Sequence, residues 1–255
     1  MTNQIFAIFM LLMAFLTSDK ESNISTEIRK FVISSEESYK VKERGGPIVI
    51  DADWDKPVWK RIPIIKLKNY MGKVPSFRPK TEAKVMYDKE NIYVIFRVRD
   101  KFVRSVVREY NGNVSGDSCV EFFFAPDANA PEKYFNLEIN AGGTPLIFFV
   151  SKPWTDFVKL DPVDIAKIEI AHSMPEVVDP EITDSVTWTI EYRIPIAILE
   201  KYSPVTTPES GVIWKANFYK TASKSTNPHW ITWSPVEYPK PNFHLPQYFG
   251  KLEFQ

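Results

Sequence analysis

From residue 46 to the end the sequence keeps a period of two, and that rhythm limits the possible folds more than any other feature. In NIYVIFRVRD, residues 91–100, Ile92, Val94, Phe96 and Val98 alternate with Tyr93, Ile95, Arg97 and Arg99. One face of that strand is therefore apolar, and the other ends polar. Together with the preceding AKVMY it flanks Asp-Lys-Glu-Asn, the pattern of a hairpin. DSCVEFFFAP stops at Pro126, KYFNLEINAGG follows the turn PDANAPE, and TPLIFFVSK follows Gly142 and Gly143. IAKIEIAHSM, DSVTWTIEYRIP, VIWKANFYKTAS and YFGKLEFQ continue the series. Helical signals are confined to IPIAILEKY and a turn at DKPVWKR. Roughly nine or ten strands at near-regular spacing predict an all-β antiparallel β-sandwich.

Composition agrees. The 20 prolines, 9 glycines and 14% aromatic residues suit strands joined by proline-punctuated loops. At 44% hydrophobic, the 255 residues can bury a core without cross-links. The lone cysteine, Cys119, cannot form an internal disulfide and reads as a buried, inert thiol. Lys and Arg number 32 against 32 Asp and Glu, so no global field draws nucleic acid or an acidic membrane. Ile5 to Leu16 is an apolar run too short to span a bilayer and the right length for the core of an export signal. Residues 1–18 are thus expected to be a signal peptide or N-terminal anchor, on a protein that is secreted, periplasmic or held at the cell surface. Residues 19–45 read as a polar leader, with one early strand at RKFVISS. Residues 46–255 read as a single domain, which is not expected to insert into a membrane.

The order of motifs carries a resemblance. DADWDKPVW, a hairpin ending YVIFRVRD, then GDSCVEFFF and YFNLEINAGG stand in sequence, followed by WTIEYRIPIAIL, WKANFYK and FHLPQYFGKLEF. This series resembles the family 9 carbohydrate-binding modules over about residues 46–255. The resemblance implies a DOMON-like sandwich of immunoglobulin-like, jelly-roll type that binds oligo- or polysaccharide without catalysis. It also implies structural calcium, with no other cofactor required, and an association with glycoside hydrolases acting on the same glycan.

A sugar presents hydroxyls around its edge and weakly apolar C–H faces, so its site needs aromatic platforms and planar polar groups. By the resemblance, one aromatic comes from the loop KFVRSVVREYNGNVSG, where Tyr110 is the better stacking candidate. In that loop Arg104 and Arg108 can fork onto vicinal hydroxyls or, equally, pair with nearby acids. Trp154 in SKPWTDF is the second platform, because a loop tryptophan beside proline is hard to explain by core packing. Asn136, Glu138 and Asn140 share one strand face, opposite Phe135, Leu137 and Ile139. That polar face is either a recognition surface or a solvated one. Trp230 is expected to border the site, and Trp233, Trp59, Trp188 and Trp214 to pack inside. Glu121 reads as a motif residue that satisfies buried backbone or orders a loop. His172, His229 and His244 form no H-x-x-x-H pair, which argues against zinc, and calcium would need the loops DADWD or PDANAPE. Two other readings use the same scaffold: a glycoside hydrolase or lyase built on a carboxylate pair such as Glu121 and Glu138, or a protein-interaction sandwich.

Overall fold

The computed structural model describes residues 37–255. The expected signal segment 1–18, its apolar run and the strand at RKFVISS lie outside the described residues. In chain order the strands are β1 (Ser38–Glu43), β2 (Ile65–Leu67), β3 (Asn69–Tyr70), β4 (Lys80–Tyr87), β5 (Asn91–Asp100) and β6 (Val103–Ser105). Next come β7 (Cys119–Ala125), β8 (Tyr134–Asn140), β9 (Pro145–Lys152), β10 (Asp156–Lys159) and β11 (Glu169–His172). The last are β12 (Val178–Ile182), β13 (Val186–Pro195), β14 (Ile213–Thr221), β15 (Trp230–Thr232) and β16 (Gly250–Phe254). The helical signals reduce to single turns, α1 (Pro57–Lys60) and α3 (Ile196–Leu199), and a further turn, α2 (Pro162–Ile165), takes the start of IAKIEIAHSM. No helix among the described residues is long and apolar enough to cross a membrane.

Two layers result, as the alternation requires. One runs β1-β4-β5-β13-β11 and the other β10-β9-β8-β7-β14-β16-β1, with β2 added to β4 and β15 and β3 added beside β14. Pairs are antiparallel except at β1, which lies parallel to both β16 and β4 and so joins the layers. Strand β1 falls within the segment read as a polar leader. Its Tyr39 and Val41 are buried between exposed Ser38, Lys40 and Lys42, a short alternation diluted by charge.

The core fills the space between the layers. Ile92, Val94, Phe96 and Val98 of β5 point inward with Ile194, Tyr192, Ile190 and Trp188, their register partners on β13. They meet Phe122 and Phe124, Leu137 and Ile139, and Phe218, all with no exposed surface. Phe96 and Phe218 make ring contact across the gap at 6.0 Å. The opposite face of β5 ends polar as expected, with Arg97 half-buried and Arg99 exposed, but Tyr93 and Ile95 at its start are covered. Residues 44–62 fold over it, burying Trp54 and Trp59. The latch is the fully buried Glu191. Its carboxylate accepts from the backbone N–H of Asp51 and Ala52, from Trp59 Nε1 at 2.8 Å and from Lys56 Nζ at 2.8 Å. Trp188, Trp214 and Trp233 are buried as expected.

Candidate functional site

Register fixes what the outer face of the second layer displays. Across β14, β7, β8 and β9 one row reads Tyr219, Glu121, Glu138, Leu146. The row on one side reads Asn217, Phe123, Asn136, Phe148, and on the other Thr221, Cys119, Asn140. Every residue in these rows is buried except Phe148, which is half-buried. An outer face this covered needs a lid, and two loops supply it. Residues 106–118 close one end, packing Val107 and Val114 against Cys119 and Leu146. Residues 236–249 close the other, stacking Phe243 on Tyr219 at 4.1 Å.

Between the two coverings a concavity of about 150 Å³ remains. Glu121, Glu138 and Thr221 form its polar floor; Phe123, Phe243, Trp154 and Trp230 form its walls. This is below the roughly 300–1,000 Å³ of drug-sized pockets, so the hollow itself encloses about one ring.

Trp154 stands at the tip of the β9–β10 hairpin. The turn runs Lys152-Pro153-Trp154-Thr155, closed by Thr155 N–H donating to the Lys152 carbonyl at 3.2 Å. Pro153 sits where proline presets a type II turn, and Trp154 takes the next place with φ of +66°, where glycine is usual. A tryptophan in the left-handed region costs about 1–2 kcal/mol. Trp154 is nonetheless 69% exposed, so it recovers little of that by burial. Its ring meets His244 edge-on at 4.5 Å, and His244 Nδ1 is hydrogen-bonded to Tyr134 Oη at 2.8 Å. Burial pulls the His244 pKa down to about 4, so near neutrality the imidazole is uncharged.

The floor holds unusual chemistry. Glu121 and Glu138 face each other across β7 and β8, and with Cys119 they form a group whose ligand atoms lie within 4.8 Å of one another. Asn136 Nδ2 donates to Glu138 Oε1 at 3.0 Å, while the buried Asn136 Oδ1 has no partner. Burial pushes the Glu138 pKa up to about 7. Burial also raises Glu121, and the Glu138 charge adds to that rise. The nearest cation, Lys220, points to the opposite face and is spent on Asp100 at 3.2 Å.

Among the residues singled out from sequence, Trp154, Glu138 and Trp230 line the concavity, and Asn136 supports it through Glu138. Asn140 shares their strand face, but its amide is committed to the Val107 carbonyl and Asp117, tying down the covering loop. Arg104, Arg108 and Tyr110 do not line the concavity. Arg104 pairs with the buried Asp117 at 3.4 Å and Arg108 with the exposed Glu176 at 3.6 Å. Tyr110 is 46% exposed, and its neighbour Asn111 is anchored to Pro145. That is the far end of β9 from Trp154, roughly 20 Å away at the rise of a strand. Phe123 and Phe243 escaped the sequence reading, and Glu121, which lines the concavity beside Glu138, was expected there only as a loop-ordering residue or, in the hydrolase alternative, as a partner of Glu138. CVEFFFA is apolar almost throughout, so its faces could not be told apart, and Phe243 lies in a loop without periodicity. The loop-ordering role expected of Glu121 belongs to Asp117, whose Oδ2 accepts from the N–H groups of Val106 and Val107.

The loops considered for calcium do not gather a shell for it. Asp51 is paired with Lys56, and Asp51, Asp53 and Asp127 each accept a backbone N–H two residues on. Calcium requires six to eight convergent oxygens. Among the described residues the one group of three potential side-chain ligands is Cys119, Glu121 and Glu138, whose thiol is a poor match for a hard cation.

The chain matches the model of carbohydrate-binding family 9 over residues 52–254. It is similar to a candidate carbohydrate-binding protein of Bacteroides uniformis ATCC 8492, at 26% identity and TM-score 0.77, over 87% of this chain and 100% of that one. It also shares its fold with a family 9 carbohydrate-binding module of Caldicellulosiruptor kristjanssonii. The complex with cellotriose matches at 17% identity and TM-score 0.57, over 86% of this chain and 94% of that one. The complex with glucose matches at 17% identity and TM-score 0.58, over 86% and 96%. No curated protein matches the chain significantly.

Proposed function

Because the chain belongs to carbohydrate-binding family 9, we propose that its outer-face concavity binds a sugar ring without catalysis. One observation carries this reading: an aromatic-walled hollow of single-ring size over a floor of carboxylates and a hydroxyl. Trp154 and Trp230 offer ring faces for the C–H surface of a pyranose, and Glu138, oriented by Asn136, accepts from its hydroxyls. The small volume favours a terminal sugar over the middle of a chain. The strained placement of Trp154 fits a residue kept for contact and not for packing.

The C. kristjanssonii module was solved with cellotriose and with glucose, which makes those two sugars the first probes. Calorimetric titration should give saturable binding. Trp154→Ala should weaken it more than tenfold, since ring stacking is worth about 0.5–1.5 kcal/mol beyond the area it covers. The melting temperature should stay within about 2 °C, because the ring is largely exposed and its removal touches no core contact. Unchanged affinity in a folded Trp154→Ala variant would refute the site. A protein exported to meet glycans would lose its first residues, and N-terminal sequencing of the secreted form tests that part. If it acts beside glycoside hydrolases, adding it should speed their release of sugar from insoluble glycan.

A further inference from the structure

Resting on that reading, we propose that the floor of the concavity selects a cationic sugar, a terminal 2-amino-2-deoxyhexose whose ammonium sits between Glu121 and Glu138. Three observations lead there. First, two carboxylates lie side by side in the hollow, only 2% and 7% exposed, and hold oxygens within 4.8 Å of one another. Glu121 has no hydrogen-bond partner among the described residues, and Glu138 has only the Asn136 amide.

Second, nothing lining the hollow can neutralise them. Its lining contains no lysine or arginine, and His244, the remaining basic group, is held uncharged by burial. Behind the sheet, Lys220 is committed to Asp100, the Thr221 carbonyl and His229. Cys119 is a buried thiol whose ionisation burial opposes, and Tyr219 and Tyr134 are held neutral in the same way. Asp117 lies outside the lining and holds Arg104 to itself at 3.4 Å. Third, behind the floor the Asn136 amide gives its N–H to Glu138 while its own Oδ1 goes without a donor, so the buried surroundings of the pair are short of positive groups as well. An acceptor-rich, cation-free pocket walled by aromatic rings is the chemistry that recognises an ammonium. A neutral hexose supplies hydroxyl donors but leaves the carboxylate pair without a counter-charge.

The test titrates the full chain with glucose, glucosamine and N-acetylglucosamine at pH 6 and pH 8. The acetylated sugar keeps the nitrogen but removes its charge. Glucosamine at pH 6 should bind about tenfold tighter than either neutral sugar, as charge-assisted hydrogen bonds do relative to neutral ones. Its binding should release protons to the buffer, seen as a buffer-dependent heat, because the ammonium displaces the proton the carboxylates hold. Glucose should release none. Glu121→Gln should erase the glucosamine preference, read as the ratio of the two affinities. Should it fail to fold, judged by its melt, Glu138→Gln is read for the same ratio. Equal affinities for all three sugars, or no proton release with glucosamine, would overturn the inference while leaving sugar binding intact. Absence of binding by every sugar would bring down the reading of the site itself. Displacement of glucosamine by micromolar zinc with no neutral-sugar effect would assign the floor to a metal and overturn the proposal too.

Discussion

Replacing Glu138 by glutamine should stabilise the protein at alkaline pH and leave it little changed at acid pH. The side chain is 7% exposed, and its carboxyl is lifted from 4.5 to about 7, chiefly by burial. A group whose folded pKa is raised binds its proton more tightly folded than unfolded. Between the two pKa values the folded state therefore carries the extra proton, and stability falls as pH rises. Each unit is worth about 1.4 kcal/mol, so ionising Glu138 in place costs the fold roughly 3 kcal/mol once pH exceeds the folded value. Two histidines work against this at lower pH. His244 and His229 are held far below 6.5 by burial, so they make stability rise with pH until about 6.5. The difference between parent and variant therefore opens between about pH 4.5 and 7, and the histidine slope cancels from it because the two proteins share it. Urea unfolding of both proteins at half-unit steps gives the difference directly, and both share the histidine contribution. Glutamine keeps the shape and can still meet Asn136, so the variant should be several kcal/mol more stable than the parent at pH 8 and nearly equal at pH 5. Glu121, its neighbour, should meanwhile ionise more readily because one repulsive charge is gone, while burial still holds it above the usual carboxylate range. A pH-independent difference between the two proteins would refute the reasoning, as would a variant less stable at pH 8.

Two further outcomes test the frame around the site. Trp154→Gly should keep or slightly raise stability, because glycine accepts the left-handed turn that costs tryptophan about 1–2 kcal/mol, and should lose sugar binding; a drop of the denaturation midpoint would show the ring to be structural. Glu191→Ala should cost about 3–5 kcal/mol, since it strands Lys56, the Trp59 indole N–H and two backbone N–H groups inside the protein. Proteolysis of residues 44–62 should report the release, and an unchanged melt would mean that this segment is held by burial alone.

The layers were legible in the sequence because the alternation of strands such as β5 and β13 is set by burial on the core side, which the pattern of Ile92, Val94, Phe96 and Val98 records. What failed to show was burial on the other side. CVEFFFA gives no contrast between its faces because both are covered, one by the facing sheet and one by Phe243 and its loop. Spacing alone could name Glu121 and Glu138 as a pair but not bring them together; the β7–β8 register does, setting them opposite each other on the covered face. Spacing within YFNLEIN put Asn136, Glu138 and Asn140 on one face correctly. It could not say that Asn140 would be spent on Val107 and Asp117, because those partners come from a loop 33 and 23 residues away.

Loop residues divided along the same line. Trp154 was readable because a tryptophan beside proline in a loop has no core to pack into, and in the structure it stands at the hairpin tip with a positive φ and most of its ring exposed. Nothing local distinguishes Arg104 or Arg108 from a sugar-binding arginine. Whether a guanidinium meets a ligand or a carboxylate depends on where Asp117 and Glu176 arrive in space. The site is thus a place where two buried acids are kept without a counter-ion at the bottom of an aromatic cup, and the fold tolerates that cost because the surrounding sheet over-determines their positions. A binding partner that brings the missing charge would remove the cost, so the same pair that weakens the free protein above neutral pH should strengthen its grip on the right ligand. Stability and affinity measured on one Glu138→Gln variant should then move in opposite directions, and if both move together the carboxylates are structural and the cup belongs to the packing.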